Sequence, residues 1–340
     1  MRNFHRYSTE PTKQRGIFLL LVGAVLLAAV MSLCIGAVPV APKDVLSALL
    51  FGKAETVSAR IILYTRLPRT LAALLAGGAL AVSGAVLQTV LCNPLAAPNI
   101  IGVNSSAGLA VAIACAAVPM SAAVTPLIAF VGALVGVLLV LGLSEMTGAS
   151  RMTVVLSGVA VSNLFGAAID AVITFVPDAL NGYSDFRIGG FADVTMARIA
   201  PAGGMILIGL LLTLTLSQQM DVLALGAQTA QSLGLSVRPV RLILLVLAAA
   251  LCGAAISFSG LLGFVGLIVP HMMRRIVGEE SLKLTLAGAM GGAALVAICD
   301  TLARVLFAPY ELPVGIVLSF AGVPFFLWLL LRQRGGRISD

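Results

Sequence analysis

From Thr70 to Ser144 the chain runs for 75 residues without a single Asp, Glu, Lys or Arg. A domain surrounded by water keeps about a quarter of its residues charged, so this stretch belongs in another medium. The whole chain agrees: 10% of its 340 residues are charged against 60% hydrophobic, and the mean hydropathy is +1.09. Those figures exclude a soluble enzyme, a disordered tail and a nucleic-acid binder. The net charge of +7 fits a membrane protein with basic cytoplasmic ends. Glycine is abundant (35) and aromatics are few (6%, with Trp328 the one tryptophan). Small residues let helix backbones approach closely inside a bilayer. The expected class is an all-α, polytopic integral membrane protein forming one domain.

Intervals free of charge count the spans. Arg15 to Lys43 encloses 27 uncharged residues, enough for one helix of about 20 residues across a ~30 Å hydrocarbon layer. It is too long for a signal-peptide core and reads as a retained first helix. Breaks at Asn93-Pro94, Pro98-Asn99 and Pro119 divide the charge-free stretch into spans near 70–91, 100–118 and 124–143. A fifth runs over 152–176 and a sixth lies between Arg198 and Asp221. The 32 residues between Arg241 and Arg274 exceed one ordinary span. They divide at Ser257-Phe258-Ser259-Gly260, the second part ending at Pro270-His271. Spans near 284–304 and 313–331 complete a count of about ten, or nine if the 32-residue stretch is one tilted helix. An even count puts both termini on one side. Residues 1–15 carry Arg2, Arg6, Lys13 and Arg15, and residues 332–340 carry Arg332, Arg334 and Arg337, so both tails are expected in the cytoplasm. The membrane domain is 16–331. With that topology 13 Lys/Arg lie inside and 8 outside.

No chemistry of the chain's own stands out. A phosphate-binding loop needs Gly-x-x-x-x-Gly-Lys-Ser/Thr, and Lys13, Lys43, Lys53 and Lys283 have no such context. The histidines are His5 in the tail and His271 at a helix end. The five cysteines (Cys34, Cys92, Cys115, Cys252, Cys299) lie in or beside apolar runs without a CxxC or Cys/His cluster, and read as small hydrophobes. Catalytic residues, metal ligands and a cofactor are therefore not expected. Energy has to come from another chain or an ion gradient. Small-xxx-small pairs at Gly132/Gly136 and Gly288/Gly292, and the cluster Gly77-Gly78…Gly84, mark helix packing. Arg60, Arg66 and Arg69 gather on the side where positive charge should be scarce. They read either as lipid anchors or as a basic docking surface for an acidic partner.

These residues carry a resemblance. Arg66-Leu-Pro-Arg69-Thr-Leu, Gly78-Ala-Leu-Ala-Val-Ser-Gly84-Ala-Val-Leu-Gln88 and Asn93-Pro-Leu-Ala-Ala-Pro98 resemble the FecCD permease family. So do Leu225-Gly226…Ala230…Leu233-Gly234, Gly263-Phe-Val-Gly-Leu-Ile-Val-Pro270-His271…Arg274, Asp300…Arg304…Glu311-Leu-Pro313-Val-Gly315 and Gly322-Val-Pro324. These blocks occupy residues 66 to 331 in the family's order. The family comprises membrane subunits of ABC importers for iron–siderophore complexes, haem and vitamin B12, each with ten helices and cytoplasmic ends. One departure is Tyr183-Ser-Asp-Phe186-Arg187-Ile-Gly189-Gly190, where family members often have a Trp before a Gly-Ser or Gly-Gly pair.

The resemblance implies partners and sites. The partners would be two ABC ATPase subunits, an extracytoplasmic substrate-binding protein and a second permease subunit, with the whole in a bacterial cytoplasmic (inner) membrane. Arg66, Arg69 and Arg304 match positions that meet glutamates of the binding protein. Arg304 is also placed for an i,i+4 pair with Asp300. The cytoplasmic stretch 221–240 has two glycines bracketing an Ala/Gln turn. In it Leu225, Gly226, Ala230, Leu233 and Gly234 resemble the coupling helix that sits on the ATPase. Asn163, Asp170 and Thr174 share one helical face by spacing, and an ionisable residue at membrane depth usually faces protein or water. They are candidates for the translocation pathway. Gly148, Ala149 and Ser150 match the family's cytoplasmic constriction. The rival from another class is an ion-coupled transporter with Asp170, Asp300 and Glu145 as carriers.

Overall fold

The computed structural model describes residues 11–36, 38–52, 56–117, 124–146 and 151–334. The expected constriction Gly148, Ala149 and Ser150 lies outside the described residues, as do most of both tails. In chain order the helices are α1 (Pro11–Cys34), α2 (Pro42–Phe51) and α3 (Val57–Arg60). A π-helical turn (Ile61–Arg66) then leads into α4 (Leu67–Val90), and a 3-10 turn (Pro98–Ile101) into α5 (Val103–Ala117). There follow α6 (Thr125–Met146), α7 (Arg151–Phe175), α8 (Ala179–Ile188), α9 (Met196–Thr215), α10 (Ser217–Ala224) and α11 (Ala227–Ser232). The chain closes with α12 (Val237–Ser259), α13 (Val265–Val277), α14 (Ser281–Val305) and α15 (Val314–Arg334). No strand occurs among the described residues.

A helix stands in each of the ten apolar intervals. Among the described residues seven helical stretches are long and apolar enough to cross a membrane, counting Val57–Val90 as one, and α5 and the apolar stretch Val314–Leu329 of α15 are shorter. The 32-residue interval does divide: α12 ends at Ser259, Gly260 takes a left-handed φ of +66°, and α13 begins at Val265. The single-tilted-helix alternative is thereby removed. Helices α2 and α8 were not foreseen, because each is too short to leave a charge-free interval.

At the centre stands α4, 83% buried along its most apolar stretch, whereas α7 is only 22% buried. The reason is side-chain size. A Cβ on Gly77 would lie 2.1 Å from the carbonyl oxygen of Gly292, and one on Gly84 would lie 1.9 Å from that of Gly266. So α4 meets α14 and α13 backbone against backbone, as small residues permit. Gly132 and Gly136 let α6 approach α5 in the same way, at Ala110 and Ser106.

Where the chain leaves helical geometry inside this apolar body, its backbone groups still need partners. Gly190 N–H donates to Ser259 (2.8 Å), Leu261 N–H to Phe186 (2.9 Å) and Gly315 N–H to Gly189 (3.3 Å). The end of α8, the α12–α13 loop and the start of α15 are thereby stitched together.

Candidate functional site

The three arginines do come together, at the C-terminal end of α14, where α1, the π-turn and α4 also meet. Arg69 clasps Asp300 with two nitrogens: Nε to Oδ2 and Nη2 to Oδ1, both at 3.0 Å. Its remaining nitrogen, Nη1, reaches Glu311 Oε2 at 2.6 Å. Arg304 faces the same Asp300 across 3.3 Å, the expected i,i+4 pair, and donates to the Ser32 carbonyl at 3.1 Å. Arg66 donates to the carbonyls of Leu33 (2.7 Å), Cys34 (2.9 Å) and Val38. Gly36 makes room for this, since a Cβ there would sit 3.0 Å from Arg66 Nη2.

Two physical consequences follow. First, α1 ends at Cys34, and its last carbonyls are satisfied by cations, as a helix C-terminus favours. Second, Arg66, Arg69 and Arg304 are 5%, 6% and 3% exposed, and Asp300 is fully buried. The expected exposed basic surface is therefore not displayed: these three side chains face inward, although Arg60 is exposed. Three guanidinia stand against two carboxylates, leaving the cluster one positive charge in excess. Its outermost acid is Glu311, whose side chain is 40% exposed.

At the opposite end of α14 lies the expected coupling segment. Gly226 (φ +103°) and Gly234 (φ +85°) bracket α11 in conformations that suit glycine. Leu225 and Leu233 are 57% and 62% exposed, so these two are the large apolar side chains the segment offers a partner. Ala230 instead is fully buried, with its methyl in the main core cluster. It belongs to the packing under the segment and not to its outer face. One unforeseen contact ties this region to α14: Ser281 N–H donates to Asp221 Oδ1 at 2.7 Å. Asp221, on α10, thus caps a helix that receives no side-chain cap from its own N-cap residue, Glu280. Glu145 at the end of α6 pairs with Arg238 at the start of α12. Gln88 accepts from Arg274 and donates to the Gly266 carbonyl (3.2 Å), joining α4 to α13. Both residues stand in the motif blocks, but spacing gave no hint that they touch.

Asn163, Asp170 and Thr174 are all exposed on one side of α7. The Thr174 hydroxyl turns back to donate to the Asp170 carbonyl at 2.7 Å. Of the cysteines, Cys252 and Cys299 are buried as expected, whereas Cys92 is exposed.

Residues 24–332 match the FecCD transport family. The chain is 40% identical over 287 residues to the hemin transport system permease protein HmuU of Yersinia pestis, covering 82% of this chain and 85% of that one. It is 39% identical to the achromobactin transport system permease protein CbrC of Dickeya dadantii, over 93% of this chain and 90% of the relative. A solved structure described as an inward-facing conformation of a metal-chelate type ABC transporter superposes with a TM-score of 0.82 at 28% identity, covering 94% of this chain and 99% of that one. With a polytopic helical body, the motif blocks in order and a match along nearly its whole length, this chain belongs to the FecCD transport family.

Proposed function

We propose that this chain is the membrane-spanning permease subunit of an ABC importer that carries an iron(III)–siderophore type chelate inward, driven by ATP hydrolysed on separate subunits. The family match over residues 24–332 carries this reading. Relatives named for hemin and achromobactin transport support an iron chelate as the cargo, with haem or a corrinoid the alternatives. In this reading the ten apolar helices all cross a bacterial cytoplasmic membrane with both termini inside. Two copies face each other around a path that includes Asn163, Asp170 and Thr174. Leu225 and Leu233 sit on the ATPase, and the α14 C-terminal end, with Arg66, Arg69 and Arg304, receives the binding protein. Gly148, Ala149 and Ser150 close the path on the cytoplasmic side.

The work is mechanical. ATP binding to a partner shifts the permease between states only if the partner's contacts differ between them, and the exposed leucines bracketing α11 are placed to make such contacts. Ion coupling is the poorer reading. Asp300 is enclosed by Arg69 and Arg304, and Glu145 is paired with Arg238, which leaves Asp170 alone among the three carriers. The experiment is uptake of radiolabelled ferric siderophore, with haem in parallel, into proteoliposomes holding permease, ATPase and binding protein. ATP-dependent accumulation without an imposed gradient is expected. Uptake that follows an ion gradient and ignores ATP would overturn the reading.

A further inference from the structure

We propose that Glu311 is an internal stand-in for the binding protein's carboxylate, occupying Nη1 of Arg69 until docking displaces it. This deepens the docking reading above and rests on it. The geometry separates the three arginines. Arg66 spends its guanidinium on three carbonyls of the α1 terminus, at Leu33, Cys34 and Val38. Arg304 gives Nε to Asp300 and Nη2 to Ser32 and Thr301. Arg69 gives Nε and Nη2 to the fully buried Asp300, and its Nη1 to the part-exposed Glu311.

The two acids on Arg69 differ in kind. Asp300 is enclosed on a 25-residue helix and held by two arginines. Glu311 sits on the connection between α14 and α15, its side chain 40% exposed, with Arg69 as its ion-pair partner. An acid in that position competes with any carboxylate arriving from outside, because both seek the same N–H group. Its departure would raise the cluster's excess from one positive charge to two, which attracts an acidic partner. Next to it in the chain, Tyr310 is 79% exposed, and an exposed aromatic beside a charge is a common contact in protein interfaces.

Competition has a definite sign. If the docking-competent state is the one with Glu311 displaced, apparent affinity is lowered by the fraction of time the site is free. Removing the competitor should therefore tighten docking, whereas removing an ordinary structural contact leaves it unchanged or weakens it. The experiment titrates the cognate binding protein onto permease–ATPase complexes in nanodiscs, comparing wild type with Glu311→Gln, Glu311→Ala and Arg69→Lys. The expected result is affinity tightened threefold or more in Glu311→Gln and at least as much in Glu311→Ala, with Arg69→Lys binding more weakly than wild type. If neither Glu311 variant binds more tightly while Arg69→Lys binds more weakly, the docking site stands and the competitor role is overturned. If the binding protein docks with unchanged affinity in all three variants, the docking reading itself fails. Thermal unfolding of each complex is measured alongside; because a loosened fold lowers affinity, tightening cannot come from misfolding.

Discussion

The C-terminal end of α14 and the open face of α7 both carry ionisable side chains on apolar helices, and they treat them in opposite ways. At the first, Asp300 is fully buried and surrounded by Arg69 and Arg304, and Arg66 satisfies the end of α1. At the second, Asn163, Asp170 and Thr174 stand exposed on a helix that is only 22% buried. Burial of charge is tolerated only when each group is paired and hydrogen-bonded. A polar face left open on a membrane helix instead requires water or another chain. The comparison therefore separates charges that build the subunit from charges that await something outside it.

The largest effect should come from emptying the paired end. Arg69→Ala leaves Asp300 buried with one arginine fewer, and breaking a buried pair by removing one member costs about 3–5 kcal/mol. Loss of the monodisperse peak in detergent gel filtration is the expected outcome. Asp170→Asn should leave that peak unchanged, and equal damage from both substitutions would break the comparison. Next in size, Gly84→Leu should destabilise by at least about 1–3 kcal/mol through overpacking against Gly266, read as a lower unfolding temperature. Gly166→Ala on α7 has nothing within 4 Å of its new methyl and should be neutral or stabilising by at most about 1 kcal/mol.

Smaller again are the effects on the coupling segment. Leu225→Ala with Leu233→Ala should cut ATP-driven uptake several-fold while the isolated permease unfolds at the wild-type temperature. Ala230→Trp, because Ala230 is buried, should lower that temperature first. The reverse pattern would place Ala230 on the partner face. The smallest change sharpens the α7 side. Thr174→Cys should react with a membrane-impermeant thiol reagent at a rate that varies with nucleotide, while Cys252 stays inert. Inertness of the Thr174→Cys thiol in every nucleotide state would mean that the face is covered.

Much of the fold was legible because membrane helices are long and their ends are marked by charge, proline and glycine. The break at Ser259-Gly260 could be read from four residues. What could not be read was orientation. Arg66, Arg69 and Arg304 were recognisable as a group, but spacing cannot say whether a guanidinium turns outward or back onto the carbonyls of Leu33 and Cys34. That depends on where α1 ends relative to a helix far along the chain. Ala230 failed for a related reason, since a small residue in a polar segment looks exposed until α11 is seen lying on the core. The Asp221–Ser281 contact joins residues 60 apart, and no local pattern announces a cap supplied by another helix. Asn163, Asp170 and Thr174 were easier, because a shared face needs only the 3.6-residue period.

Stiffness is unevenly distributed as a result. Helix α14 is 25 residues long, about 37 Å at a rise of ~1.5 Å per residue, and it is pinned at three levels. Asp221 holds its first N–H, Gly77 meets Gly292 in its middle, and Arg69 clasps Asp300 near its end. Sliding it along α4 would break the close fit of Gly77 against Gly292. Gly158 packs α7 against the Ile100 carbonyl in the same way, but among the described residues nothing comparable fixes its outer side. In engineering terms α4 and α14 form the stator, and a lever arm has to be sought among the helices that touch them least.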